Sequence, residues 1–328
     1  MIKLAVLGCG RIGQVHAATL MRMPNAQLVA VSDAVPAATT ALAAKTGAAV
    51  LTTDQIIADP AIDAIIIGTP TDTHYEIIHA AARAGKAIFC EKPVDMSAAR
   101  IRDCMAVVAA NKTPFMTAFN RRFDPSFAHL QARITAGDIG AVEIVTILSR
   151  DPAPPPVSYI KSSGGIFRDM MIHDFDMARF LLGEDPTSLF ATGAALVDPE
   201  IGKAGDVDTA AVVLTTATGK ICQISNSRRA TYGYDQRIEV HGSKGMLRAE
   251  NHRENTVELA TEAGFRTAPA QHFFLERYQA AYMAELSQFI TGLENGTPQS
   301  PSIADGLQAQ LLADAATQSL ASGQPVTL

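Results

Sequence analysis

The 328-residue chain is predicted to be α/β, with a doubly wound parallel sheet first and an α+β half with a mostly antiparallel sheet after it. Three observations lead there. Up to about residue 118, short and almost wholly apolar runs alternate with longer helical patterns, and strands apolar on both faces belong to a parallel sheet covered by helices on each side. Past Arg121 that alternation stops. Residues from about 187 to 260 then read as several strands joined by hairpin signals such as "TATGKI" and "VHGSKGML".

In chain order, the first half gives strands at "IKLAVLG", "QLVAVSD", near Ala49–Leu51, "AIIIG", "AIFC" and "FMTAF". Helical patterns such as "THYEIIHAAARAG" and "SAARIRDCMAVVAAN" fill the gaps. The second half opens with a helix-like stretch near Phe127–Ala136 and the strand "AVEIVTILSR". The loop "DPAPPPVSYIKSSGG" follows, where proline and glycine discourage regular structure. "GGIFRDMMIHDFDMARFLLG", residues 164–183, reads as two glycines, a turn and then one helix, and two more helices are expected near 274–293 and 302–322, with Ser302 as N-cap of the last. The expected domains are 1–120 and 121–328.

Composition narrows the function. At 48% hydrophobic and 18% charged residues, the chain can bury a large core. A formal net charge of -6, few aromatics and no tryptophan give no support to nucleic-acid binding or to an anionic membrane surface. No apolar run reaches membrane-spanning length, and "MIKLAVLG" lacks the h-region and cleavage site of a secretory signal. The four cysteines form no C-x-x-C pair and read as reduced thiols of a cytoplasmic protein. Scattered histidines and the absence of H-E-x-x-H leave no metal site to expect.

"VLGCGRIG" places Gly8, Gly10 and Gly13 as G-x-G-x-x-G after the first strand, with Arg11 and Ile12 opening the helix that follows. Gly8 permits a tight turn, Gly10 lets a pyrophosphate approach the backbone, and Gly13 lets helix pack on strand. The helix N-terminus offers amide donors to the phosphates. Asp33, at the end of the second strand, is placed to bind the adenosine ribose hydroxyls. It would repel a 2′-phosphate, and Ala34 supplies no compensating cation, so the cofactor is expected to be NAD rather than NADP.

Two more strands end in polar residues. "GTPTDTH" sets Thr69, Thr71 and His74 past one carboxyl end, and "CEKP" sets Glu91 and Lys92 past another, where ligands of parallel sheets bind. His74 reads equally well as a locally bonded residue at a helix start. In the helix expected over 164–183, about 100° per residue puts Asp169, His173 and Asp176 on one narrow face, with Asp174 off it. Buried carboxylates beside an imidazole, on a helix otherwise mostly apolar, point to general acid–base chemistry.

With "GCGRIG", "GTPTDTH", "CEKP", "FNRRFD", "GGIFRDMMIHDFDM" and "VHGSKGM" in one chain, the sequence resembles the Gfo/Idh/MocA oxidoreductases over its whole length. The resemblance implies a Rossmann domain followed by a domain built on a large open, mostly antiparallel sheet. It also implies a catalytic trio at Lys92, Asp169 and His173, polyol contacts from Arg121 and Tyr234, and a homodimer or homotetramer. "NRRFDPSF", "SRDPAPPP" and "YGYD" resemble the inositol-oxidising branch, which implies myo-inositol as substrate and the 2-keto product. Another inositol isomer, a pyranose, or a non-catalytic sensor of NAD and sugar are the alternatives. Retention of both Lys92 and His173 argues against the sensor.

Overall fold

The structure is a computed structural model and describes residues 1–328, the side chain of Lys161 excepted. Contacts divide the chain into two compact units, Met1–Phe123 with Ala281–Gln310, and Asp124–Ala280 with Leu311–Leu328.

The first unit holds six strands: β1 (Ile2–Leu7), β2 (Ala26–Ser32), β3 (Ala49–Val50), β4 (Ala64–Ile67), β5 (Ala87–Cys90) and β6 (Phe115–Thr117). They form one sheet in the order β3-β2-β1-β4-β5-β6, all neighbours parallel. β1 and β4 are neighbours without being consecutive, so the strand order reverses there, and the carboxyl ends around such a switch point are where ligands bind. Every residue of β4 and β5 is buried, as the apolar runs require. Residues 281–310 return to this unit because the helix Gln279–Asn295 has an apolar side to bury: Leu286, Phe289 and Ile290 join the core of Val6, Phe89 and Met116. Ser302 caps the helix Ile303–Ser322, exchanging hydrogen bonds with Asp305.

In the second unit lie β7 (Val142–Arg150), β8 (Pro186–Ala194), β9 (Thr209–Thr216), β10 (Ile221–Ser227), β11 (Asp235–Gly242), β12 (Gly245–Ala249), the hairpin β13 (Glu258–Thr261) and β14 (Gly264–Thr267), and β15 (Val326–Thr327). Seven of these make a sheet in the order β12-β11-β7-β10-β9-β8-β15. Only β7 and β10 run parallel; the other pairs are antiparallel. "TATGKI" and "VHGSKGML" are the expected hairpin turns, closing β9 on β10 and β11 on β12. The helix Ile172–Leu182 packs on β7 and β10. On that helix the buried Asp174 carboxylate accepts hydrogen bonds from Ser149 of β7 at 2.6 Å and Asn226 of β10 at 2.9 Å.

Two stretches differ from expectation. The proline loop contains a helix, Val157–Ser163, which starts just after Pro156, where proline's fixed φ is an asset rather than an obstacle. The single helix expected over 164–183 is broken. Gly165–Asp169 forms a five-residue helix, and Ile172–Leu182 begins only after Met170 and Met171. At the break both Met170 and Met171 N–H donate to the Ile166 carbonyl, so the regular i→i−4 ladder loses step. Asp169 and His173 therefore belong to successive helices, so the uninterrupted helix expected to carry Asp169, His173 and Asp176 is broken between the first two. All four cysteines are free and buried. Among the described residues, no helix is long and apolar enough to cross a membrane.

Candidate active site

In the first unit, the glycines divide by role. A Cβ on Gly8, whose φ is +94°, would lie 2.4 Å from the Gly68 carbonyl oxygen, and one on Gly13 would lie 1.8 Å from the Gly8 oxygen. Both are glycine because backbone passes against backbone. A Cβ on Gly10 would meet nothing within 4 Å. The loop thus keeps open space at the one glycine a pyrophosphate has to approach. Gly10 caps the helix Arg11–Leu20 without any side-chain hydrogen bond, and the first turn carries no acid to compete with an anion for the amides. Asp33 is tied into the same loop. Its Oδ2 accepts the Cys9 N–H at 2.6 Å and its Oδ1 the Val35 N–H at 2.8 Å. These residues fit a dinucleotide whose ribose hydroxyls approach a pre-oriented carboxylate.

The ends of β4 and β5 are stitched together by His74. The imidazole is buried, with Nε2 2.9 Å from the Thr69 carbonyl and Nδ1 3.1 Å from the Pro93 carbonyl. Burial pulls its pKa down, against the opposing pull of those carbonyls and Glu91. With both nitrogens on backbone, His74 holds the loops that carry Thr69 and Lys92. Thr69 in turn receives the Thr73 hydroxyl at 2.7 Å, and Thr71 opens the single 3-10 turn Thr71–Thr73. Lys92 is half-buried just beyond β5. Glu91 beside it is hydrogen-bonded by His16 Nε2 at 2.7 Å. His16, on the dinucleotide helix and fully buried, was not singled out in the sequence; its signal was an imidazole on the apolar side of "RIGQVHAATL". Arg121 is buried in the 3-10 turn Asn120–Phe123.

In the second unit, Asp169 ends the five-residue helix with both oxygens engaged. Tyr159 donates its hydroxyl to Oδ1 at 2.9 Å, and both terminal nitrogens of Arg228 lie 3.2 Å from Oδ2. Neither partner was foreseen. Arg228 follows β10, 59 residues away in sequence, and Tyr159 sits in the stretch read as loop. His173 is half-buried in the first turn of the next helix, while Asp176 is fully buried. Tyr234 is buried with its ring edge-on to Tyr278 and Phe273, at centroid distances of 6.0 and 6.5 Å.

Residues 2–119 match the NAD-binding Rossmann fold of the Gfo/Idh/MocA oxidoreductase family, and residues 131–328 match that family's C-terminal alpha/beta domain. The chain belongs to the Gfo/Idh/MocA family. Among its relatives, an inositol 2-dehydrogenase of Rhizobium meliloti is 55% identical over 327 residues, covering 100% of this chain and 99% of that one. A myo-inositol 2-dehydrogenase of Thermotoga maritima is 46% identical, covering 100% and 98%. The crystal structure of a scyllo-inositol dehydrogenase from Lactobacillus casei, with NAD(H) and scyllo-inositol bound, superposes with a TM-score of 0.94 at 30% identity, covering 100% and 99%. As a Gfo/Idh/MocA oxidoreductase, the chain carries its NAD-binding Rossmann fold in residues 2–119.

Proposed function

We propose that this chain is an inositol 2-dehydrogenase, oxidising the ring secondary hydroxyl of myo-inositol to the 2-keto product with NAD as oxidant. The full-length likeness to inositol 2-dehydrogenases, in a chain that keeps Lys92, Asp169 and His173, carries the reading. In the division of labour, residues 1–120 hold the cofactor, and 121–328 supply substrate contacts and the assembly surface. Gly8, Gly10, Arg11, Ile12 and Gly13 form the pyrophosphate loop, and Asp33 takes the ribose. Thr69, Thr71, Glu91 and Lys92 border the cofactor at the strand ends, with His74 holding their loops in place. Arg121 and Tyr234 contact the polyol.

Bound nicotinamide supplies the hydride acceptor. Neutral His173 removes the hydroxyl proton as hydride leaves the same carbon, so the C–H and O–H bonds are exchanged for C=O. The Lys92 ammonium steadies the developing alkoxide. Asp169, hydrogen-bonded by Tyr159 and Arg228, favours the imidazolium as it forms.

The protein is proposed to work in the cytoplasm, in keeping with its four free thiols, as a homodimer or homotetramer built on the open sheet. Phe190 of β8 is paired directly opposite Val213 of β9, and the two are 39% and 42% exposed, which leaves an apolar patch on that sheet. The test of function is a steady-state panel of inositol isomers, pyranoses and linear polyols with NAD, followed by NADH absorbance. Myo-inositol should lead in kcat/KM. A linear or phosphorylated sugar far ahead of every inositol would overturn the substrate, and absence of turnover with all of them would favour the sensor.

A further inference from the structure

Arg228 is 1% exposed, and a guanidinium cannot shed its charge to escape the cost of burial. It has to be paired, and the partner it bonds is Asp169, through both terminal nitrogens. A second acid stands close by. Asp206, on the loop ahead of β9, accepts the Ile166 N–H at 3.1 Å through Oδ1, while its Oδ2 is buried without a hydrogen-bond partner among the described residues. Burial raises the Asp206 pKa; the Arg228 charge works against that rise and the Asp169 charge adds to it. Gly165 makes this approach feasible, because at φ +82° a Cβ there would come within 2.7 Å of Asp206 Oδ1. Arg168, next to Asp169 in sequence, does not compete for the carboxylate: its Nε and Nη2 lie 3.1 and 2.5 Å from Asp314 Oδ1.

We propose that Arg228 is a positioning residue for the oxidation, acting through Asp169: it fixes the orientation of that carboxylate so that the imidazolium formed at His173 is stabilised. Among the groups around Asp169 are the Tyr159 hydroxyl from the helix Val157–Ser163, the Arg228 guanidinium from the end of β10, and Asp206 from the loop ahead of β9, with His173 four residues on in the chain. Arg228 brings a positive charge to this set. Its loss removes that cation, which favours the protonated forms of the groups nearby, and frees the carboxylate to turn.

The proposal rests on Asp169 and His173 acting in catalysis, and the experiment separates the two ideas. Arg228→Met, Arg228→Gln, Arg228→Lys and Asp169→Asn are compared for kcat, KM of myo-inositol and NAD, the pH profile of kcat/KM, and melting temperature. Arg228→Met and Arg228→Gln should lower kcat about tenfold or more and move the acidic limb up by about one pH unit or more, with KM for NAD little changed. Gln keeps an amide donor for Asp169 and so serves if the Met variant does not fold. Arg228→Lys keeps the charge and should restore most of the activity and the native limb. If Arg228→Gln melts earlier yet keeps native kcat and an unmoved limb per folded molecule, Arg228 is only a structural ion-pair partner and the inference is wrong. If Asp169→Asn itself is fully active, it is the catalytic reading that fails.

Discussion

Asp33→Asn tests the cofactor site at its most constrained point. The carboxylate receives one backbone N–H on each oxygen, from Cys9 at 2.6 Å and Val35 at 2.8 Å. An asparagine has one oxygen and one NH2. Its oxygen can stay on the part-buried Cys9 N–H, which leaves its nitrogen facing the Val35 N–H, donor against donor, at an exposed position where water takes over. The loss is then that of one ordinary hydrogen bond, about 0.5–1.5 kcal/mol. At about 1.4 kcal/mol per factor of ten, a loop held that much less firmly should lower NAD efficiency about 2- to 12-fold. The same change removes the charge that repels a 2′-phosphate. The native enzyme should prefer NAD over NADP by about tenfold or more in kcat/KM, and the variant should lose most of that preference. The assay is initial-rate NADH or NADPH formation at saturating myo-inositol with each cofactor varied. A native preference for NADP, or a variant with both efficiencies unchanged, refutes the argument.

His173→Ala should lower kcat by about 10²-fold or more while leaving NAD affinity and the melting temperature close to native, as expected for a lost general base; Lys92→Ala should do likewise, with KM for the polyol also affected. A folded His173→Ala enzyme with full specific activity would end the mechanism. Glu285→Gln concerns stability. Glu285 is fully buried on the helix Gln279–Asn295, and neither carboxyl oxygen has a hydrogen-bond partner among the described residues. Burial first, and the Glu91 charge second, raise its pKa well above the ordinary 4.5. A raised acid is protonated in the folded state where the unfolded chain is ionised, so its contribution to stability is full below about pH 4.5 and is lost as pH rises toward the folded value. Replacing it by the neutral amide should therefore stabilise the protein, by an advantage that grows with pH at up to about 1.4 kcal/mol per unit and then levels off. Melting curves of both proteins from pH 5 to 9 read this directly. An advantage that shrinks as pH rises would contradict it.

Much of the molecule was legible because its signals are local. Short, fully apolar runs such as "AIII" and "AIFC" between helical patterns read as strands buried on both faces, and the spacing of Gly8, Gly10 and Gly13 follows from one strand–turn–helix junction. Asp33 could be placed because a parallel strand ends where its neighbours end. Where two distant segments decide an outcome, the sequence had nothing to offer. The 100° periodicity of 164–183 reports which side chains are apolar, but the ladder breaks at Met170 and Met171, where two N–H groups share the Ile166 carbonyl. His74 read equally as ligand or strut, and only the fold sets its ring between the Thr69 and Pro93 carbonyls.

What the sequence by itself determined is therefore the parallel sheet, its glycine loop, the acid at the second strand end, and the residue types proposed here for alcohol oxidation. The partners that hold those residues were decided by the tertiary structure alone: Arg228 and Tyr159 on Asp169, His16 on Glu91, and Glu285 buried near that pair with no hydrogen-bond partner among the described residues. The reason is physical. A motif is written in consecutive residues, whereas a buried charge is answered by whichever side chain the packing brings within about 3 Å, and sequence separation sets no limit on that distance.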